Sequence, residues 1–272
     1  MGESPLRDLT DRIASATRFD LSHPYRVGMP QSPNHVPFRM LLERRHGDMV
    51  RADGGSAANE VIVLGGHVGT HLDALAHVSQ DGFIHGGIPA AQLQSQRGFS
   101  RLGIDDFAPY AGRAVVLDVA AVHGVEVLPA GYEVTAADLE AARERAGVPI
   151  GAGEVILIGT GWSRNWNDPE VMMGLRGGVP GPGAEAGEWL AQQQPVAVGG
   201  EGIAFEQIKA GAGHGLLPVH RILLVEHGIN IVEAMNLDAL LRAGCGEFLL
   251  ILNPLLVAGA TGAPVRPIAL AL

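Results

Sequence analysis

Three histidines and an aspartate fall within eleven residues, His67-Val68-Gly69-Thr70-His71-Leu72-Asp73-Ala74-Leu75-Ala76-His77. Imidazole nitrogen and carboxylate oxygen are the donors that zinc, manganese and non-haem iron prefer. Gly69-Thr70 between the first two histidines is poor helix material. Asp73 follows His71 by two, the spacing that sets both side chains on one face of an extended chain. Histidines four apart often sit on a helix with no chemistry attached, and a histidine among apolar neighbours is usually a hydrogen-bonded core residue. Here, however, four donors lie so close that they repel or strain one another unless something binds them. The segment reads as a metal site.

Such a site needs a rigid frame. Ahead of it, Glu60-Val-Ile-Val-Leu64 reads as a buried strand broken by Gly65-Gly66, with residues 39–56 a polar connection before it. Apolar spacing at Leu6, Leu9, Ile13 and Ala14 predicts an amphipathic helix over 4–18. Residues 27–38 hold three prolines and must form an extended loop, one that could serve as a subunit contact. His23 and His35 flank and enter this region and read by themselves as exposed loop histidines.

Continuous apolar runs predict strands at 113–120, 154–158, 195–199, 229–233, 247–252 and 265–270. Helices are expected at 135–146, opened by the capping-box-like Thr135-Ala-Ala-Asp138, at 184–193, and for a turn at 237–241. Residues 218–225 fit either type. Strands and helices alternate without a linker, a repeat or a break in composition, so one α/β-type domain is expected.

A loop rarely completes a metal site by itself. His220 and Glu233 are the best further donors: Glu233 ends the apolar strand and would be costly to bury unless paired or bound to a metal. Equally, it reads as a strand-end acid reaching water or capping a helix. His123, His214 and His227 have no pattern around them and read as surface residues.

Composition narrows the function. Of 272 residues, 47% are hydrophobic and 18% charged, enough for a substantial core. A net charge of −10 argues against a nucleic-acid partner. One cysteine, Cys245, rules out a disulfide framework and a cysteine-based zinc site, and makes a cytoplasmic setting the default. The start of the chain is too charged for a secretory leader, and the apolar run from Phe248 is broken by Asn253-Pro254, too short to enter a membrane.

His67, Gly69, Thr70, His71, Asp73 and His77 match the HxGTHxDxPxH signature of the kynurenine formamidase/cyclase family of metal-dependent hydrolases. The resemblance covers most of the chain. Asp20-Leu-Ser-His-Pro24, Thr160-Gly-Trp162, His220-Arg-Ile-Leu-Leu, Ile231-Val-Glu233 and Thr261-Gly-Ala-Pro-Val-Arg266 are also similar to family segments. It implies a swivelling β/β/α-type fold of the α/β (α+β) class, a single domain over 1–272 with a central β-barrel-like sheet flanked by helices and a helical extension at 1–18. It further implies one or two divalent ions, zinc or manganese, held by His67, His71, Asp73, His220 and Glu233. Asp73 would bridge two ions and His77 would act as general acid/base. A homodimer or homotetramer acting on a small-molecule substrate is implied too.

Some residues depart from the family. Leu75 stands where it has proline, and Gly199-Gly-Glu201 replaces a usual G-x-D. Ser32-Pro33-Asn34-His35 replaces W-P-G-D, removing an aromatic substrate contact. Ser32, His35 and Trp162 are the candidates to take its place, and Trp166 is a further aromatic, although a tryptophan more often serves core or loop packing. The expected activity is therefore hydrolysis of a small cyclic or acyl amide. The rivals are a metal-dependent cyclase or dehydratase on a polyketide-like or hydroxy-acid substrate, and a non-catalytic module that binds a metal or small molecule. His77 argues against the last, since a binder needs no acid/base there.

Overall fold

The computed structural model describes residues 4–272; residues 1–3, the start of the expected 1–18 extension, lie outside them. Helix α1 (Pro5–Ser15) ends earlier than its periodicity predicts, because Thr17–Asp20 already pairs as strand β1. The other strands of three or more residues begin with β2 (Arg39–Arg44), β3 (Asn59–Val63), β4 (His71–Asp73), β5 (Tyr110–Asp118), β6 (Val155–Gly159) and β7 (Ala197–Gly200). They continue with β8 (Asn230–Glu233), β9 (Glu247–Leu252), β10 (Gly262–Pro264) and β11 (Ile268–Ala271). The main helices are α2 (Ala136–Ala146), α3 (Ala184–Gln192), α4 (Pro218–His220, continuing as π-helix through Arg221–His227) and α5 (Asp238–Arg242).

Nine strands form one mixed α/β sheet in the order β1-β11-β9-β5-β6-β7-β8-β4-β10, curled as a half-barrel and flanked by helices. β5 to β8 run parallel at its centre, and antiparallel strands close both sides. Parallel strands covered on both faces read as unbroken apolar runs, which is why β6 and β8 were legible. Along β6, Val155 and Leu157 enter one core with Leu72, Val232 and Leu250. Ile156 and Ile158 face the opposite way, into a core roofed by Leu139, Leu190 and Leu223 of α2, α3 and α4. The Thr135 hydroxyl accepts from the Asp138 N–H, and the Asp138 carboxylate accepts from the Thr135 N–H; this reciprocal cap opens α2. Among the described residues no helix is long and apolar enough to cross a membrane.

Two expectations are corrected. Residues 60–64 do not form a buried strand leading into the site. β3 pairs only with β2, inside the supposed polar connection, and every residue of both strands is exposed. The strand that carries the chemistry is β4, the motif itself. His23 is not a loop residue in water but 5% exposed, its ring stacked on Trp166 with centroids 4.0 Å apart. Burial pushes its pKa down to about 4, so it is neutral.

Register places the donors. In the β8–β4 pairing Glu233 lies opposite His71 and Ile231 opposite Asp73; on the other edge Gly262 faces Asp73. A Cβ on Gly262 would stand 2.4 Å from the His67 ring. Gly262→Ala should therefore push His67 aside, and a circular-dichroism spectrum like that of wild type will show that the Leu72 carbonyl, 2.9 Å from the same Cβ, has not displaced the strand. Metal content of the purified variant, measured beside wild type, should fall; unchanged content would show that His67 has room to spare.

Candidate metal centre and active site

β4 is fully buried and wedged between β8 and β10, so His71 and Asp73 have little freedom to move. The turn before it is built for one sequence. Gly69 has φ +63°, and a side chain there would meet the Tyr25 ring at 2.7 Å. The Tyr25 hydroxyl lies 2.8 and 2.7 Å from the Val68 and Thr70 carbonyl oxygens. The Thr70 hydroxyl accepts from the His23 N–H at 3.0 Å and donates to the Ala234 carbonyl at 2.7 Å, tying the turn to the end of β8. This explains the Gly-Thr pair between the histidines.

Each imidazole is oriented from behind. His71 Nδ1–H donates to the Gly69 carbonyl at 2.8 Å, leaving Nε2 bare and 3.4 Å from both an Asp73 and a Glu233 oxygen. His220 Nδ1–H donates to Glu206 at 2.7 Å, and its Nε2 faces Glu233 at 3.1 Å and Asp73 at 3.6 Å. His67 lies between Asp73, 2.6 Å from Nδ1, and the Thr261 hydroxyl, 2.9 Å from Nε2. Asn230 donates to the Asp73 carbonyl at 2.8 Å, anchoring the strand. Carboxylates and carbonyls behind histidines fix their tautomers in just this way at metal sites.

Two groups of three donors each lie within 4.8 Å: His67, Asp73 and His77, and His71, Asp73 and Glu233. Asp73 belongs to both. Its Oδ2 and Oε1 of Glu233 are buried, make no well-aligned hydrogen bond and face only the His220 Nε2, at 3.6 and 3.1 Å, a costly arrangement unless a cation joins them. Two donors about 2.0–2.1 Å from one tetrahedral ion lie about 3.3 Å apart. The 3.1–3.6 Å separations between the histidine Nε2 atoms and these carboxylates span that value. The donor set fits a divalent cation.

The electrostatics agree. Burial opposes charge on His71, yet its hydrogen bond and proximity to Asp73, with Glu233 behind, carry its pKa up to about 9. His220 is likewise raised against its burial by Asp73, Glu206 and Glu233. Asp73 is held well below the usual carboxylate range, despite burial, by the surrounding histidines. Those carboxylates demand positive charge. His77, its ring stacked on His67 at 3.8 Å, goes the other way: burial, opposed by Asp73 and reinforced by His67, His220 and His71, pushes it down to about 3.

The three expected substrate contacts are placed differently. His35 is half-buried, its ring 5.5 Å from that of His67, at the edge of the cluster. Ser32 is 3% exposed, its hydroxyl accepting from the Asn34 N–H to shape the loop. Trp162, also 3% exposed, packs in a core with Met29, Val68 and Met172, and its indole N–H donates to the Met172 carbonyl. It is thus a core residue with no polar atom to spare for a substrate, and Trp166 is buried against His23. The turn bearing Trp162 hangs on Glu201, a fully buried carboxylate accepting from the Thr160 and Gly161 N–H groups at 2.6 Å and from the Ser163 hydroxyl. His123 lies at the surface, as expected, with its Nε2 2.8 Å from Asp138 and 2.9 Å from the Tyr132 hydroxyl.

The Cyclase family model matches residues 19–207. The chain belongs to the cyclase family. It is 29% identical over 227 residues to isatin hydrolase of Roseibium aggregatum, covering 80% of this chain and 77% of that protein. The crystal structure of a novel cyclase superposes with a TM-score of 0.85 at 29% identity, over 98% of this chain and 93% of the other. Isatin hydrolase A from Ralstonia solanacearum shares the fold at a TM-score of 0.75 and 24% identity, over 100% and 99% of the two chains.

Sequence reasoning missed Glu206. It is 1% exposed and accepts from the Val219 and His220 N–H groups at 3.0 and 2.8 Å as well as from the His220 ring. An acid within Gly202-Ile-Ala-Phe-Glu206 was the available signal, since burying it among such neighbours requires partners. Glu206→Gln should fold yet bind zinc or manganese about 10–100-fold more weakly, read by competition with a chelator. Undiminished affinity would show that His220 needs no support from behind.

Proposed function

We propose that this member of the cyclase family is a divalent-metal-dependent hydrolase acting on the C–N bond of a small cyclic or acyl amide. The carrying observation is Asp73, a fully buried carboxylate common to two three-donor clusters. The donor chemistry suits zinc or manganese, one ion or two per chain. Likeness to an isatin hydrolase makes a cyclic amide of the isatin type the first substrate to try. A single cysteine and the lack of a membrane-spanning helix among the described residues fit a cytosolic setting.

A divalent ion held in this cage supplies an acidified water and an electrophilic pull on a carbonyl oxygen. The chain's own groups do the rest. The Gly69 carbonyl and Glu206 lock the His71 and His220 rings by their Nδ1–H groups, and so fix where a substrate carbonyl can sit. The buried β4 wall keeps bulk water from Asp73. His77 is neutral at pH 7, offering one bare nitrogen to take a proton and one N–H to give. As general acid/base it would relay the proton of the attacking water to the leaving nitrogen, its lowered pKa favouring prompt donation over holding the proton. His35 beside His67 forms the side wall on which a flat substrate rests.

The same cage on a cyclase-family chain also suits ring closure or dehydration. Reaction in ¹⁸O-labelled water separates the two: hydrolysis places one solvent oxygen in the acid product, and cyclisation places none. His77→Ala should keep its metal while kcat falls about 10²–10⁴-fold, as for a lost general acid/base. Metal lost together with activity would make His77 a ligand instead, and turnover unaffected by the change would end its acid/base role.

A further inference from the structure

Between His220 and Glu233 the chain departs from ordinary helical geometry. Arg221–His227 wind as a π-helix, and the Gly228 and Ile229 N–H groups both reach back to the Leu223 carbonyl. An i→i+5 bond closes a turn one residue wider than the i→i+4 bond of an α-helix, and such turns gather at functional sites. The extra residue sets the phase of β8. Ile231 joins the core that holds Ile222, Leu223 and Leu224 of the π-helix, whereas Val232 joins the opposite one. Glu233, one residue further, shares the side of Ile231 and lies opposite His71. If residues 221–227 tightened to α geometry, the residue released would be absorbed as a slip of β8. A one-residue slip turns every side chain of a strand to its other face, and Glu233 would leave His71 and His220.

The wide helix is held from outside. The Val225 carbonyl has no partner along the helix, because the Asn230 N–H that an i→i+5 bond would bring to it goes to Val196 instead. It accepts from the Nδ1–H of His85 at 3.0 Å. Apart from Glu206 at its start, His85 is the one side chain outside this helix, among the described residues, that hydrogen-bonds its backbone. The place for the ring is cut by Gly228, where a Cβ would stand 2.6 Å from the imidazole and where φ is +68°. The segment that ends at His85 begins at His77 and passes through Ile84, buried to 1%. His85 thus ties the stretch bearing the acid/base to the helix that opens with His220, the two rings lying 6.3 Å apart.

We infer that His85 is a positioning residue of the metal centre: by holding the Val225 carbonyl it keeps the π-helix in the wide register that brings His220 and Glu233 together. The inference rests on the metal reading of that site and adds to it a residue that touches none of the donors.

Zinc affinity, read by competition with a chelator, tests it in wild type, His85→Asn, His85→Gln and His85→Leu. An asparagine amide nitrogen stands where Nδ1 stands, so His85→Asn should bind nearly as wild type does. A glutamine amide nitrogen falls nearer the place of Nε2. His85→Gln and His85→Leu should therefore bind about tenfold more weakly, as when support from behind the ligands is lost at other metal sites. His227→Leu, on the same helix but exposed and only 3.7 Å from Glu188, should leave affinity unchanged. Asparagine and glutamine are alike in polarity, so a difference between them reads the placed N–H rather than lost packing. That comparison carries the test even if His85→Leu fails to fold. Wild-type affinity in His85→Gln, a His85→Asn no better than His85→Gln, or an equal loss in His227→Leu would overturn the proposal while leaving the metal reading intact. A wild type that binds neither zinc nor manganese would overturn both.

Discussion

Asp73 is completely buried and ionised, and the rest of the site follows from that constraint. A lone buried carboxylate would take up a proton instead of its charge. Here imidazoles ring it, and Glu233 and Glu206 complete a cage whose negative groups need positive charge between them. Protonated histidines meet part of that demand, as the raised His71 and His220 show. A divalent ion meets all of it with bare nitrogens. The spacing of the donors, wider than most hydrogen bonds and close to the edge of a metal tetrahedron, makes the ion the better answer.

The fold serves this demand by register. Three short strands, β8, β4 and β10, lie side by side, so His71, Asp73 and Glu233 are held by main-chain pairing rather than by a mobile loop. Gly69 and Gly262 are the positions where the chain approaches too closely to admit a side chain: one beside Tyr25, the other beside His67. Histidines reached from outside the sheet, His67 and His220, gain their orientation from Thr261 and Glu206. The protein thus divides the work between strands that fix carboxylates and remote polar groups that fix rings.

Much of this was legible in the sequence. The donors His67, His71, Asp73 and His77 are close in the chain, and apolar runs announced β5, β6, β8 and β9. Glu206, Thr261 and Asn230 were not legible, because they act through tertiary contacts across 14, 194 and 157 residues of sequence separation. His23 was misplaced because an irregular, glycine- and proline-rich stretch reads as surface, whereas here such stretches fold inward over a third core that holds Trp162 and Trp166. The β2–β3 ribbon misled for the opposite reason. An apolar run predicts a covered strand, and β3 has no cover among the described residues.

The central claim is that Asp73 is the shared ligand of a divalent-metal site. Elemental analysis of protein supplied with zinc and manganese, wild type beside the near-isosteric Asp73→Asn, tests it most directly. The account predicts stoichiometric metal in wild type, one ion or two per chain, and loss of it in a variant that keeps its fold. Metal-free wild type, or full occupancy in Asp73→Asn, would contradict it.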